Sequence, residues 1–415
     1  MHSLRTYLKA VAAMCLSAAQ PVLAQEPVSS EEVLTGEEVR QDLATWMEWT
    51  RSTHPDLSYS VNLETLDMAV AKATQSLPDT LSRPHAWKAL ATLNPLLNDA
   101  HVGLLVPPAS DVPDSAPPIP ISAGSTGTGA TPLEIIAFNS VPWAELAETA
   151  MPLLRGENDA LRRFIIELRL HGLLRLILPG GEVKTMTLSS ASGMSVEIPV
   201  DASRLRFVSG QAGDYAISFE GSTALLSVPS FSREREEEFT AFLERAFAAI
   251  ADKRSQRLII DISQNGGGAH DLSDKLMAYL TNQPCTASSA ITARITPENQ
   301  GLVPGSELGD VLTLPFAEPV IPPKELANRY SGEVLIKTGS KTYSQAIVFA
   351  ATAQDIGVAK LIGEPPQAPA NQTGQVQTFT LPNTGFVVRA PIYIIYRGSG
   401  DRSRDALKTE NMVAP

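Results

Sequence analysis

Residues 257–280 read RLIIDISQNGGGAHDLSDKLMAYL, and the chain changes character twice within them. RLII is a short apolar run of the kind that forms a buried strand. DLSDKLMAYL has apolar residues at three- and four-residue spacing and predicts a helix. Between them stand Gly266, Gly267 and Gly268, where the strand ends and the helix is about to begin. Glycine at a strand end serves a positive φ, a tight turn, or the close approach of another group. A strand that runs into a helix in this way is half of a βαβ unit, so the flanking sequence should repeat the pattern.

It does, on both sides. TALLSVPS (223–230) predicts a strand, and the stretch from Ser232 to Ile250 predicts a helix with Ser232 as N-cap, acids in its first turns and a stripe of Phe239, Phe242, Leu243 and Ile250. The acidic run Glu234 to Glu238 reads as a solvated helix face. Downstream, GEVLIKTG (332–339) returns a strand, YSQAIVFAATAQDI (343–356) a helix, and AKLIGE (359–364) another strand. From about Tyr215 onward this implies an α/β domain with a mainly parallel sheet covered by helices.

The N-terminal half has a different texture. Arg5 and Lys9 precede AVAAMCLSAA, too short to span a bilayer, and Val22-Leu23-Ala24 supplies small residues for cleavage before Gln25. This predicts a signal peptide over 1–24 and an exported protein, periplasmic or extracellular, with no stable membrane insertion after cleavage. Helical spacing through Val39, Leu43, Trp46 and Met47, and through Leu66, Val70 and Ala73, predicts a helical cap over 25–106. A Pro/Ser/Gly/Thr/Ala-rich linker follows over 107–130. LEIIAFNSVPWAEL (133–146) then reads as a strand, an Asn-Ser turn and a helix start. A further helix through Phe164, Ile165 and Leu168, and strands from Thr185 to Val200, complete a small module over 131–213, leaving 214–415 as the α/β core.

Composition narrows the function classes. The net charge is -12, with 33 Lys and Arg against 45 Asp and Glu, so no basic excess exists to neutralise phosphates and nucleic acid is excluded as a partner. Removal of the leader takes Cys15 and leaves Cys285 alone, so no intrachain disulfide forms. The glycines are contiguous rather than spaced and Ala269, His270 and Asp271 follow them, which matches neither a dinucleotide fingerprint nor a phosphate loop. Exposed backbone N–H groups at this turn suit an oxyanion, which calls for a nucleophile near a helix start. Ser344 in KTYSQAIVFA occupies such a place, beside Gln345; the plainer role open to it is that of an N-cap. Of the six histidines, His270 follows the glycines directly, and on chemistry alone it stands level with His101 as a base.

The segments LLNDAHVGLLVP (96–107), RLIIDISQNGGG (257–268), KTYSQAIVFAATAQDIGVAKLIGE (341–364) and TGQVQTFTLPNTGFVV (373–388) occur in an order and spacing that resembles the tail-specific, or C-terminal-processing, serine peptidase superfamily. The resemblance implies a crotonase-like or ClpP-like α/β core, with a PDZ-like α+β module at Leu133 to Val200. It implies that Ser344 is the nucleophile of the T-x-S-A-like motif and that Gly266, Gly267, Gly268 and Gln345 donate to the oxyanion. The lysine of the Ser-Lys branch is missing from GEPPQAPANQTGQ (363–375), whereas Asp99-Ala100-His101-Val102 lines up with the D-G-H-T of the tricorn-like branch and makes His101 the base. The orienting acid would be Glu410, with Asp401 and Asp405 as rivals. No metal and no organic cofactor is implied; the substrate would be a peptide or unfolded protein. Ala100, Val102 and Ser263 depart from the family pattern, and so does the short C-terminal end, leaving a catalytically silent member that binds a peptide or an apolar ligand as the alternative.

Overall fold

The computed structural model describes residues 33–107, 118–120, 133–190, 193–200, 206–208, 213–315, 319 and 322–410. The stretch 1–24 expected to be a leader, and most of the stretch 107–130 expected to be a linker, lie outside them. The chain divides into two compact units, one of Gln20–Gly210 with Val376–Ala390 and one of Gln211–Gln375 with Pro391–Pro415.

The first unit begins with β1 (Val33–Thr35), α1 (Gly36–Thr53) and α2 (Leu63–Ser76), then β2 (Thr80–Ser82), which pairs antiparallel with β1. Thr35 and Glu38 close a capping box at the head of α1. Val39, Leu43, Trp46 and Met47 form its buried face, as their spacing requires. Next come α3 (Arg83–Ala91), α4 (Asn94–Leu97) and the two-residue β3 (Gly103–Leu104), then β4 (Pro118–Pro120).

The small module follows with β5 (Leu133–Phe138), β6 (Val141–Pro142), α5 (Trp143–Ala150), α6 (Asp159–Ile177), β7 (Thr185–Ser190), β8 (Ser195–Pro199) and β9 (Arg206–Val208). Its sheet runs β6-β5-β7-β8, antiparallel throughout. Asn139 and Ser140 both take positive φ, which lets two residues reverse the chain between β5 and β6. Phe164 and Ile165 are buried in α6, while Leu168, expected with them, is exposed. Non-helical angles at Arg169 interrupt the helix one residue later.

The second unit holds the parallel sheet. It is built from β10 (Ala216–Glu220), β11 (Thr223–Ser227), α7 (Glu236–Lys253), β12 (Arg257–Asp261), α8 (His270–Ala278), β13 (Ser288–Arg294), β14 (Val311–Pro315), β15 (Glu333–Thr338), α9 (Gln345–Asp355), β16 (Lys360–Gly363), β17 (Gln372–Thr380) and β18 (Val387–Arg397). β11, β12, β15 and β16 are parallel neighbours in that order, and β10 joins antiparallel at one edge. Phe239, Phe242, Leu243 and Ile250 are buried along α7. Ser232 is not the N-cap of that helix. It precedes a 3-10 turn at Arg233–Arg235, its hydroxyl bonds Glu234, and the α-helix starts at Glu236.

A second sheet, ordered β14-β13-β18-β17, has no counterpart in the α/β reading of the sequence. Its strands are separated by as much as a hundred residues, so no local periodicity announces the pairing of Ala293 with Tyr393. The last residues of β17 and the first of β18 count with the other unit, where Leu104 and Gly103 of β3 pair with Val388 and Arg389. The turn before β18 is held there too. Buried Asp42 of α1 accepts from the backbone N–H groups of Asn383 (3.1 Å) and Thr384 (2.7 Å) and from the Asn383 side chain (3.0 Å).

Candidate active site

Strand β12 delivers the glycine turn at its carboxyl end, and β15 delivers Ser344 at the end of the parallel neighbour. In such sheets this is the edge where ligands are met. Ser344 has φ 51 and ψ -125, a conformation that L-residues adopt only under constraint. Its hydroxyl makes no capping bond to α9, so the plain N-cap role does not account for it. A serine on a strained strand-to-helix turn is the arrangement that lifts a nucleophilic hydroxyl clear of the backbone.

The constraint comes from the glycine turn. The Tyr343 N–H donates to the Asn265 carbonyl (3.0 Å), and the Asn265 side chain accepts from the Gly267 N–H (2.8 Å) while donating to the Val228 carbonyl (3.0 Å). Thr342 donates to the Ile262 carbonyl (2.9 Å) and accepts from the Gly339 N–H (3.0 Å). The two residues before the nucleophile are thus bonded to the segment that follows β12.

What comes close to the bare backbone is the chain itself. A Cβ at Gly267, where φ is +102, would stand 2.8 Å from the Ser344 Cβ and 2.9 Å from the Gln345 nitrogen. At Gly268, where φ is +136, a Cβ would stand 2.0 Å from the Phe231 carbonyl oxygen. That oxygen accepts from the Ala269 N–H, and the Phe231 N–H donates to Gly267. The three glycines therefore differ in role. Gly267 makes room for Ser344 and Gln345, and its N–H is already spent on Asn265, which removes it from the set of four oxyanion donors implied by the resemblance. The N–H groups of Gly266, Gly268 and Gln345 donate to no described group.

His101 lies in the first unit, in the loop between α4 and β3. Asn94 shapes that loop by accepting from the Leu104 N–H (2.8 Å) and donating to the carbonyls of Leu104 (3.1 Å) and Leu153 (2.9 Å). The flanks of His101 are pinned as well, with Arg155 donating to the Ala100 carbonyl (2.7 Å) and Glu157 accepting from the Ala100 N–H (3.2 Å). The His101 side chain is 7% exposed and that of Asp99 5%. One Asp99 oxygen accepts from the His101 N–H at 2.7 Å and lies 3.4 Å from Nδ1. Burial holds the imidazole below its ordinary range; Asp99 opposes this by hydrogen bond and charge, and Arg389 and Arg155 add to it. A ring kept neutral at neutral pH is one that can accept a proton.

Within its own unit, the carboxylate beside His101 is that of Asp99, two residues away. Glu410 has a half-exposed side chain paired with Lys360 at 3.3 Å, while its N–H donates to Leu361 of β16. Asp401 is taken up by the N–H and hydroxyl of Ser403, and exposed Asp405 uses its carbonyl to accept from Ala370. The cue to Asp99 was present in its i, i+2 spacing to His101, but spacing alone does not tell a turn-forming aspartate from an orienting one. His270 opens α8 with its carbonyl accepting from Ser273 Oγ (2.6 Å), and burial lowers its ring's pKa. Among the described residues no group of three or more His, Cys, Asp or Glu side chains is placed to hold a metal ion, and no helix is long and apolar enough to cross a membrane.

Residues 222–408 match the model of peptidase family S41. The chain carries an S41 peptidase domain. Its serine-type chemistry comes with that family, and the domain starts at β11 and takes in both the glycine turn and Ser344. Over a wider span the fold is similar to mature CPAF, at 15% identity and a TM-score of 0.58, covering 90% of this chain and 92% of that one. A CPAF mutant aligns with a TM-score of 0.60 at 14% identity, over 90% and 92% of the two chains, and CPAF complexed with lactacystin with 0.54 at 15%, over 88% and 91%. At these identities the likeness is one of fold. No curated protein matches the sequence.

Proposed function

We propose that this S41 chain is an exported peptidase that cleaves peptide or unfolded-protein substrates through an acyl-enzyme on Ser344. The observation that carries the reading is the strained Ser344 turn, locked against Gly267 with its hydroxyl excluded from capping. In this mechanism Ser344 Oγ attacks the scissile carbonyl carbon and His101 takes the hydroxyl proton. The tetrahedral oxyanion is met by N–H groups of Gln345 and Gly268, with Gly266 as a further donor. Collapse expels the amine leaving group, which receives the proton from His101, and water then repeats the sequence to release the acid. Asp99 orients the imidazole.

Each oxyanion donor is typically worth about a hundred- to a thousand-fold in rate. The second unit is read as a crotonase-like or ClpP-like core and the sheet of 131–213 as a PDZ-like module. Export rests on the leader at 1–24. The test is Ser344→Ala, expected to abolish cleavage of a denatured protein and labelling by a fluorophosphonate probe. Unchanged hydrolysis would remove the proposal, and failure of the unaltered protein to take the probe would favour a silent, ligand-binding role.

A further inference from the structure

Gln345 carries a side chain that the reaction does not require, and the structure gives that side chain one partner. Its Nε2 donates to Ser273 Oγ at 2.9 Å, and Ser273 Oγ in turn donates to the His270 carbonyl at 2.6 Å. Ser273 is buried, and its relay runs from the residue after the nucleophile to the first turn of α8, two residues beyond Gly268. The groups joined in this way belong to the two segments whose N–H groups are assigned above to the oxyanion.

Apart from Asp274, the surroundings leave the amide little else to bond. Gln345 and Ser273 share the wall of a small cavity with Asp274, Met277, Cys285, Ala287, Phe349 and Thr352, with room for about one water. Thr352 spends its hydroxyl on the Val348 carbonyl, and Cys285 is a buried free thiol. The side chain is held between α8 and α9.

We propose that Ser273 and the Gln345 side chain are positioning residues: their hydrogen bond fixes the Gln345 N–H relative to the glycine turn, so that the oxyanion donors address the same atom. This rests on the acyl-enzyme reading above. A donor displaced by about 1 Å loses much of its effect, and misplacements of that size cost on the order of a hundred-fold. An oxyanion donor acts on charge that develops only in the tetrahedral species, so the loss falls on the chemical step.

The experiment is steady-state kinetics on the full chain with Ser273→Ala, Ser273→Thr, Gln345→Leu and the Ser273→Ala/Gln345→Leu double variant, with Ser344→Ala alongside. The proposal expects kcat to fall roughly ten- to a hundred-fold in either single variant with KM within about two-fold. The threonine variant should recover most of kcat, and the double variant should be no slower than the worse single one. Gln345→Leu keeps the cavity filled, so it tests the relay even where Ser273→Ala folds poorly. Wild-type kcat in both single variants, with Ser344→Ala inactive, overturns the positioning role alone. Activity surviving in Ser344→Ala overturns the acyl-enzyme reading instead.

Discussion

Asp274 sits in the wall of the small cavity behind Gln345, and its carboxylate has no hydrogen bond or ion pair among the described residues. Burial, with a smaller contribution from the charge of Asp271, raises it from an ordinary 3.8 to about 7. A carboxyl that binds its proton more tightly in the folded state stabilises the fold fully only below its unfolded pKa. Stability therefore falls as pH rises from about 4 to about 7 and levels off above. A shift of about three units corresponds to about 4 kcal/mol, and because Asp274 keeps partial access to solvent we take roughly half, about 2 kcal/mol. Asp274→Asn mimics the protonated form in shape and cannot ionise. Urea unfolding of the parent chain and the variant at pH 5 and pH 8 should show the variant gaining about 1 kcal/mol over the parent between the two, because part of the roughly 2 kcal/mol is already lost by pH 5. Parallel stability curves across that range would refute both the burial of this carboxyl and its isolation from counter-charges.

Two further outcomes test the site. Gly267→Ala forces a side chain into φ +102 and against Ser344 Cβ at 2.8 Å; it should cost about 1–3 kcal/mol in thermal unfolding and about a hundred-fold or more in kcat. Asp99→Asn removes the one influence that raises the His101 pKa, so the acid limb of kcat/KM against pH should move to lower pH, with a reduced plateau; a limb that stays in place would separate Asp99 from His101.

Much of the parallel layer was legible because each of its signals is local. RLII, GEVLIKTG and the helices after them carry their periodicity within a dozen residues, and the structure returns them as β12, β15, α8 and α9. Ser232 misled because a serine before an acidic run is a good cap by composition, while a 3-10 turn took up the first residues and moved the helix start to Glu236. The strands β13, β14, β17 and β18 were missed because their partners lie far along the chain. Glu410 was named from its position in a terminal motif, and its carboxylate pairs with Lys360.

The sequence by itself determined the alternation of strand and helix, the presence of a glycine turn at a strand's carboxyl end, and the residue types that can attack, take a proton and carry bare N–H groups. These follow from spacing and chemical identity, which are properties of neighbours. Tertiary structure alone decided that Ser344 is strained rather than a cap, that Gly267 spends its N–H on Asn265 and yields its space to Gln345, and that Asp99 stands beside His101. Those outcomes depend on which distant backbone groups claim each donor and each small volume, and such competition is settled only when the chain has closed on itself.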